Sequence, residues 1–168
     1  PLDFFAGVYL LGCLPLIGPD RDLFLQGRQA ESQGMGIGAY AYYRRIVENQ
    51  KDRLIDEIIK VVEHTSTDQN LIEQLKNARQ EQQFIAALDK IKAILPPTLL
   101  INGHHNPLKF LHQALSEHIH NCSDEQCLEL ARDIRVLLTE MAERINQILK
   151  DKKELDAALR HLSKDNDK

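Results

Sequence analysis

Four residues in the last third of the chain carry side chains suited to chemistry: His118, His120, Cys122 and Cys127. Imidazole nitrogen and thiolate sulfur are ordinary ligands of tetrahedral zinc, and His-x-His-x-Cys-x4-Cys is a compact arrangement. On a helix, however, residues two apart point in different directions, so His118 and His120 diverge. Cys122 and Cys127 also occupy the two positions of a hydrophobic staple around a helix start at Ser123. Core and capping roles therefore outweigh a metal site, and no cofactor is expected. His120, with His118 beside it, is also the candidate general acid or base, because imidazole titrates near neutral pH. Ser116 has His112 four residues before it and His120 four after. That makes a helical Ser/His pair without an oxyanion hole or an orienting acid at recognisable spacing.

A second cluster is Tyr40, Tyr42, Tyr43, Arg44 and Arg45. Tyrosine rings and guanidinium groups stack on unpaired bases, which makes Tyr43, Arg44 and Arg45 the binding candidates. The competing reading is structural. Tyr40 and Tyr43 fall on an apolar stripe, and Arg44 stands one helical turn before Glu48. Arg45, or Arg44, facing His118 and His120 in space would assemble an arginine–histidine pair. Gly34, Gly36 and Gly38 precede a helix, but a phosphate loop needs a strand before it. Here the preceding stretch reads as helix, so the glycines mark a close approach of two helices.

Positioning these groups falls to helices. Apolar residues recur at steps of three and four through most of the chain, and no strand alternation follows residue 20. Gly18-Pro19-Asp20 predicts a turn, and Asp20 a cap for a helix reaching Gln33. Residues 37–64 predict one long helix with a wide apolar face. Asp68 to Leu95 predicts another, bent or split between Asn77 and Gln83 and ended by Pro96-Pro97. Asn106-Pro107 predicts a capped helix start, and Ser123 with Gln126 a capping box. From Cys127 the stripe runs through Ile134, Leu138, Met141, Ile145 and Ile148 to Leu155, Leu159 and Leu162, with Lys152 in the one missed slot. A helix of that span extends ~50 Å. That exceeds what a bundle of this size requires, so Leu155, Leu159 and Leu162 are expected to overhang as an interface.

The 168 residues fit one domain, and the net charge of -4 offers no global basic field for nucleic acid. Three cysteines are too few for a disulfide framework and suit a reducing, cytoplasmic setting. Phe4 to Ile17 is apolar but too short to span a membrane, and Pro15 interrupts it. Residues 1–19 are therefore read as an apolar arm or the remnant of a preceding region, 20–162 as the helical domain and 163–168 as a disordered tail.

Two segments carry a resemblance. One runs from Gly38 through Tyr42-Tyr43-Arg44-Arg45 to Glu48. The other runs from Leu111 through Ser116-Glu117-His118-Ile119-His120 and Ser123-Asp124-Glu125 to Ala131-Arg132-Asp133-Ile134. Together they resemble a bacterial family of HEPN-like helical domains, over roughly residues 21 to 150. The resemblance implies a small, often dimeric helical bundle, of the kind found in toxins, defence proteins and their accessory modules. HEPN ribonucleases carry an arginine, four to six residues and then a histidine. His120 matches the histidine, and Ser116 a polar slot that the family often keeps. The arginine would fall at Gln113, Ala114 or Leu115, and Lys109 lies too far back to replace it.

The expected protein is thus all-α: a HEPN-like bundle of four to five helices with an N-terminal apolar arm and a long C-terminal helix. Its expected role is a non-catalytic interaction or dimerisation module of a larger bacterial protein, paired with a second copy or another helix. A divergent HEPN-type ribonuclease or nucleotide-binding domain is the alternative.

Overall fold

A computed structural model of the chain describes residues 17–66, 68–116 and 122–165. Those residues form seven α-helices and no named strand: α1 Arg21–Ser32, α2 Gly36–Asn49, α3 Lys51–Thr65, α4 Gln69–Arg79, α5 Phe84–Ile91, α6 Pro107–Ser116 and α7 Asp124–Asp165. The protein is all-α. Two more helices appear than the apolar pattern predicted, because two expected long helices are each broken once. None is long and apolar enough to cross a membrane.

The first break falls at Gln50, between α2 and α3. Its side-chain amide donates to the Asp20 carboxylate at 2.7 Å, and Asn49 reaches the same carboxylate at 3.3 Å. Asp20 was expected to cap α1; it makes no side-chain cap bond there and pins this corner instead. The corner divides the wide stripe between two jobs. Tyr40, Tyr43, Ile46 and Val47 are buried on α2, while Leu54, Ile55, Ile58, Val61 and Val62 are buried on α3.

The second break lies between Arg79 and Phe84, inside the polar stretch expected to bend the chain. Asp68 caps α4 by accepting from the Leu71 amide at 3.1 Å. α5 ends at Ile91, four residues before the expected stop at Leu95; the second of the two prolines opens a turn of 3-10 helix over Pro97–Leu99. Asn106 begins α6 as predicted. Its Oδ1 accepts from the Leu108 amide at 2.9 Å, and its Nδ2 donates to the Lys92 carbonyl at 2.6 Å.

α7 is the spine of the bundle. It packs against α1, α2, α3 and α6, and its buried residues are Cys127, Ala131, Ile134, Leu138, Thr139, Met141, Ala142 and Ile145. The capping box at its start is formed in both directions. Ser123 Oγ accepts from the Gln126 amide at 3.2 Å, and Gln126 Oε1 accepts from the Ser123 amide at 2.8 Å. Such a cap stabilises by about 1 kcal/mol.

The expected tail at 163–168 is shortened at its start, because α7 continues through Asp165. Good helix formers (Leu, Ala, Arg, Lys) fill its last turns, and Lys152 pairs with Asp156 one turn on, at 3.4 Å. Of the expected arm residues 17–19 are described, and Gly18-Pro19-Asp20, expected as a turn, forms a turn of 3-10 helix; Ile17 precedes it. Ile17 is buried beside Ile46, Val47, Leu54 and Leu138.

Candidate functional site

The arginine–tyrosine cluster separates into two environments. Tyr43 was a binding candidate, but its ring is fully buried, 5.8 Å from Phe24, and therefore offers no face to a base. Helical spacing places it on the same inward stripe as Val47, and that packing wins over display. Its hydroxyl donates to Glu31 Oε2 at 2.8 Å. Burial, then that carboxylate, pushes the phenol well above its ordinary range.

Arg44 sits where α2 meets the end of α6. Its guanidinium donates to the Leu115 carbonyl at 3.1 Å and pairs with Glu48 at 2.9 Å. Tyr40 is buried beneath it and donates to the Ala114 carbonyl at 3.1 Å. Both side chains thus satisfy carbonyls at the C-terminal end of a helix, the end that attracts positive charge. Arg45 is exposed on a different face of α2. His118 and His120 lie outside the described residues.

Cys127 is buried at the first turns of α7, with Cys122 half-buried against the same core. Burial first, and then the neighbouring Cys122, hold the Cys127 thiol above its ordinary value, so it stays protonated. A protonated thiol is a poor nucleophile and a poor ligand. Among the described residues, no three His, Cys, Asp or Glu side chains are grouped to hold a metal ion.

The Ser116/His112 pair gains a third member that sequence spacing did not reveal. Ser116 Oγ lies 3.5 Å from His112 Nδ1, and His112 Nε2 lies 3.1 Å from Asp89 Oδ1. The resemblance to a catalytic triad is superficial. The imidazole–carboxylate contact lacks hydrogen-bond geometry, leaving the buried Nε2 without a hydrogen-bond partner. Ser116 also spends its proton on the His112 carbonyl at 2.7 Å. At this helix end an oxyanion would face carbonyl oxygens rather than amides, the reverse of what acyl transfer needs.

The glycine run before α2 is likewise occupied by the protein itself. Asp124 Oδ1 accepts from the Ile37 amide at 2.9 Å, so a carboxylate from α7 fills the anion position at the start of α2. That bond and one from the Gly36 amide hold the Asp124 carboxyl below its ordinary value. Of the three glycines, Gly36 marks the close approach of helices that was expected, while Gly34 takes a left-handed φ of 74° in open space and Gly38 makes only an ordinary contact.

One polar group escaped the sequence reading. Glu31 is buried between α1 and α7, only 8% exposed. Arg135 grips it with two bonds, Nε at 2.9 Å and Nη2 at 3.0 Å, and Arg28 adds a third contact at 3.3 Å. Burial alone would push this carboxyl up, but Arg135, Tyr43 and Arg28 together hold it below its ordinary value. The signal was present: Glu31 follows Phe24 by seven residues, on the apolar face of α1.

Two exposed apolar surfaces complete the inventory. A groove of about 480 Å³ between α6 and α7 is lined in part by Phe110, Leu130, Val136 and Leu137. At the far end of α7, Leu155, Leu159 and Leu162 are 54%, 55% and 64% exposed, as expected of an overhang. In comparisons with family models, curated proteins and solved structures, nothing matched the chain.

Proposed function

We propose that this chain is a non-catalytic helical interaction or dimerisation module of a larger bacterial protein, located in the cytoplasm. The observation behind this reading is the free end of α7. The helix has 42 residues and extends ~63 Å at about 1.5 Å per residue. Its last core residue, Ile145, is followed by some twenty helical residues, of which Ile148 and Leu149 still touch the core while Leu155, Leu159 and Leu162 face solvent. An ordered apolar seam held away from its own core stabilises nothing until another helix covers it.

Sedimentation of the full chain against concentration tests the reading. The wild type should sediment above monomer mass, and L155K/L159K/L162K as a monomer with unchanged helical circular dichroism. A wild type that stays monomeric at every concentration, with the same melting temperature as the triple variant, rejects it.

A second reading, a divergent HEPN-type ribonuclease or nucleotide-binding domain, is favoured by one contact. Arg44 is bonded to the carbonyl of Leu115, three residues before His118 in the chain. An arginine from α2 thereby reaches the helix end that leads to the two histidines. On this reading Arg44→Ala and His120→Ala each abolish cleavage of a single-stranded RNA or binding of a nucleotide. Equal behaviour of wild type and both variants removes it.

A further inference from the structure

The groove between α6 and α7 joins apolar walls to a carboxylate. Phe110 and Val136 line it at 45% and 54% exposure, and Leu130 and Leu137 are half-buried in it. Gln113 lines it from α6 and Asp133 from α7. We infer that this groove receives a basic amphipathic helix of another protein. Apolar side chains one turn apart enter the groove, and lysines or arginines beside them meet Asp133 and Glu129. The inference rests on the interaction-module reading above and gives that module a second contact, on a different part of α7 from the free end.

Charge complementarity names the occupant. Asp124 and Glu125 lie in the first turn of α7, where the helix dipole already favours negative charge. Glu129 and Asp133 lie one and two turns further on, past the reach of that effect. They stand four residues apart, a like-charge spacing that destabilises a helix. Further along α7, Glu140 is paired one turn away with Arg144 at 2.7 Å, and Asp156 with Lys152 at 3.4 Å. Glu129 and Asp133 have no ion pair among the described residues. Arg132, three residues after Glu129, leans to Glu31 at 3.9 Å instead. Lys109, the lysine of α6, pairs with neither carboxylate. Two unanswered carboxylates beside an apolar groove call for a partner that carries both apolar and basic side chains.

The dimensions suit a helix. Leu130 and Leu137 are two helical turns apart, ~10 Å, which matches apolar anchors spaced by one turn on an entering helix. The chain's own residues 1–16 are apolar but bring the wrong charge. They contain Asp3 and no lysine or arginine, so they would leave both carboxylates unanswered.

Peptide binding reads the charge of the occupant. The probes are two fluorescein-labelled peptides of about four helical turns with the same leucine stripe, one flanked by lysines and the other by glutamates. Anisotropy is measured against the full chain at about 0.15 M salt, where charges more than ~8 Å apart are largely screened. The lysine peptide should bind and the glutamate peptide should not. V136E and D133K alter exposed side chains and should keep the wild-type circular dichroism. Each should weaken the lysine peptide by about tenfold. E143K, at another exposed and unpaired carboxylate that does not line the groove, should leave it unchanged. E129K/D133K should bind the glutamate peptide instead. No binding of the lysine peptide, equal binding of both peptides, or a lysine peptide indifferent to V136E and D133K each overturns the inference. A wild type whose sedimentation mass falls on V136E holds a second copy in the groove, which also overturns it. L155K/L159K/L162K should bind the lysine peptide as the wild type does. Sedimentation of that triple variant still decides the interaction-module reading, so the two can fail separately.

Discussion

Replacing Arg135 by methionine is expected to cost roughly 3 kcal/mol of folding stability, at the lower end of what removing one partner from a buried ion pair costs. Glu31 would lose two of its bonds while remaining buried. Arg28 at 3.3 Å and the Tyr43 hydroxyl at 2.8 Å would still reach it, which keeps the loss from the upper end. For a chain of this length the melting temperature should fall by roughly 6–12 °C. Thermal denaturation checks this, and a fall of a degree or two would mean that the pair carries little. The cost comes from stranding a charge, not from deleting an attraction. Glu31→Leu, Tyr43→Phe and Arg135→Met combined should therefore recover much of the stability that Arg135→Met alone loses. Tyr43→Phe belongs in the set because its hydroxyl would otherwise lose its acceptor.

The same carboxylate gives the protein an acid-sensitive component of stability. Glu31 is held below its ordinary value of 4.5 in the folded chain. A depressed carboxyl contributes stability that is fully present above the unfolded value and is lost as pH falls through the folded one. Wild type should therefore lose stability from about pH 4.5 downward by more than Glu31→Gln does, and the two curves should run parallel above about pH 6. A steeper acid loss in Glu31→Gln would reverse the sign and show that burial outweighs the arginines.

The helical class and most helix starts were legible because they rest on local chemistry. Asn106, Ser123 with Gln126, and Asp68 act within three residues of themselves, and each forms the cap its type and spacing suggest. The corner at Gln50 was not legible. It depends on Asp20, thirty residues away, and its one local trace is the run of six polar residues from Glu48 to Arg53, which the outer face of an unbroken helix can also carry. The candidate site shows the same division. Burial of Tyr40 and Tyr43 followed from periodicity. The reach of Arg44 to the end of α6 crosses 71 positions and that of Arg135 to Glu31 crosses 104. Long-range polar pairing of this kind leaves only a trace in one sequence, such as a glutamate on an apolar face. The seam at Leu155–Leu162 was legible for the opposite reason, since it is one helix repeating one spacing.

Gly36→Ala should produce the other large effect, because the methyl group has nowhere to go. A Cβ at residue 36 would fall 1.8 Å from the Asp124 carbonyl oxygen and 2.5 Å from the Leu128 amide nitrogen. Both are backbone atoms of α7, so no rotamer change relieves the overlap; α2 and α7 must move apart. Separation withdraws the Asp124 carboxylate from the Ile37 amide, which then loses its cap. Overpacking costs about 1–3 kcal/mol and loss of a cap about 0.5–2. Alanine returns at most about 1 kcal/mol of helix propensity, so a net loss of roughly 2–3 kcal/mol is expected. Urea denaturation should show a lower midpoint at unchanged slope. Gly38→Ala is the matched comparison: its Cβ would meet Ala30 Cβ at 3.7 Å, an ordinary contact, and should be neutral or slightly stabilising. Asp124→Asn removes the cap charge without the overlap and should cost less than Gly36→Ala. If the two glycine variants behave alike, the approach of α2 to α7 does not depend on a bare backbone at residue 36. If they diverge as expected, the contact that joins the tyrosine–arginine helix to the spine of the bundle is set by one missing side chain.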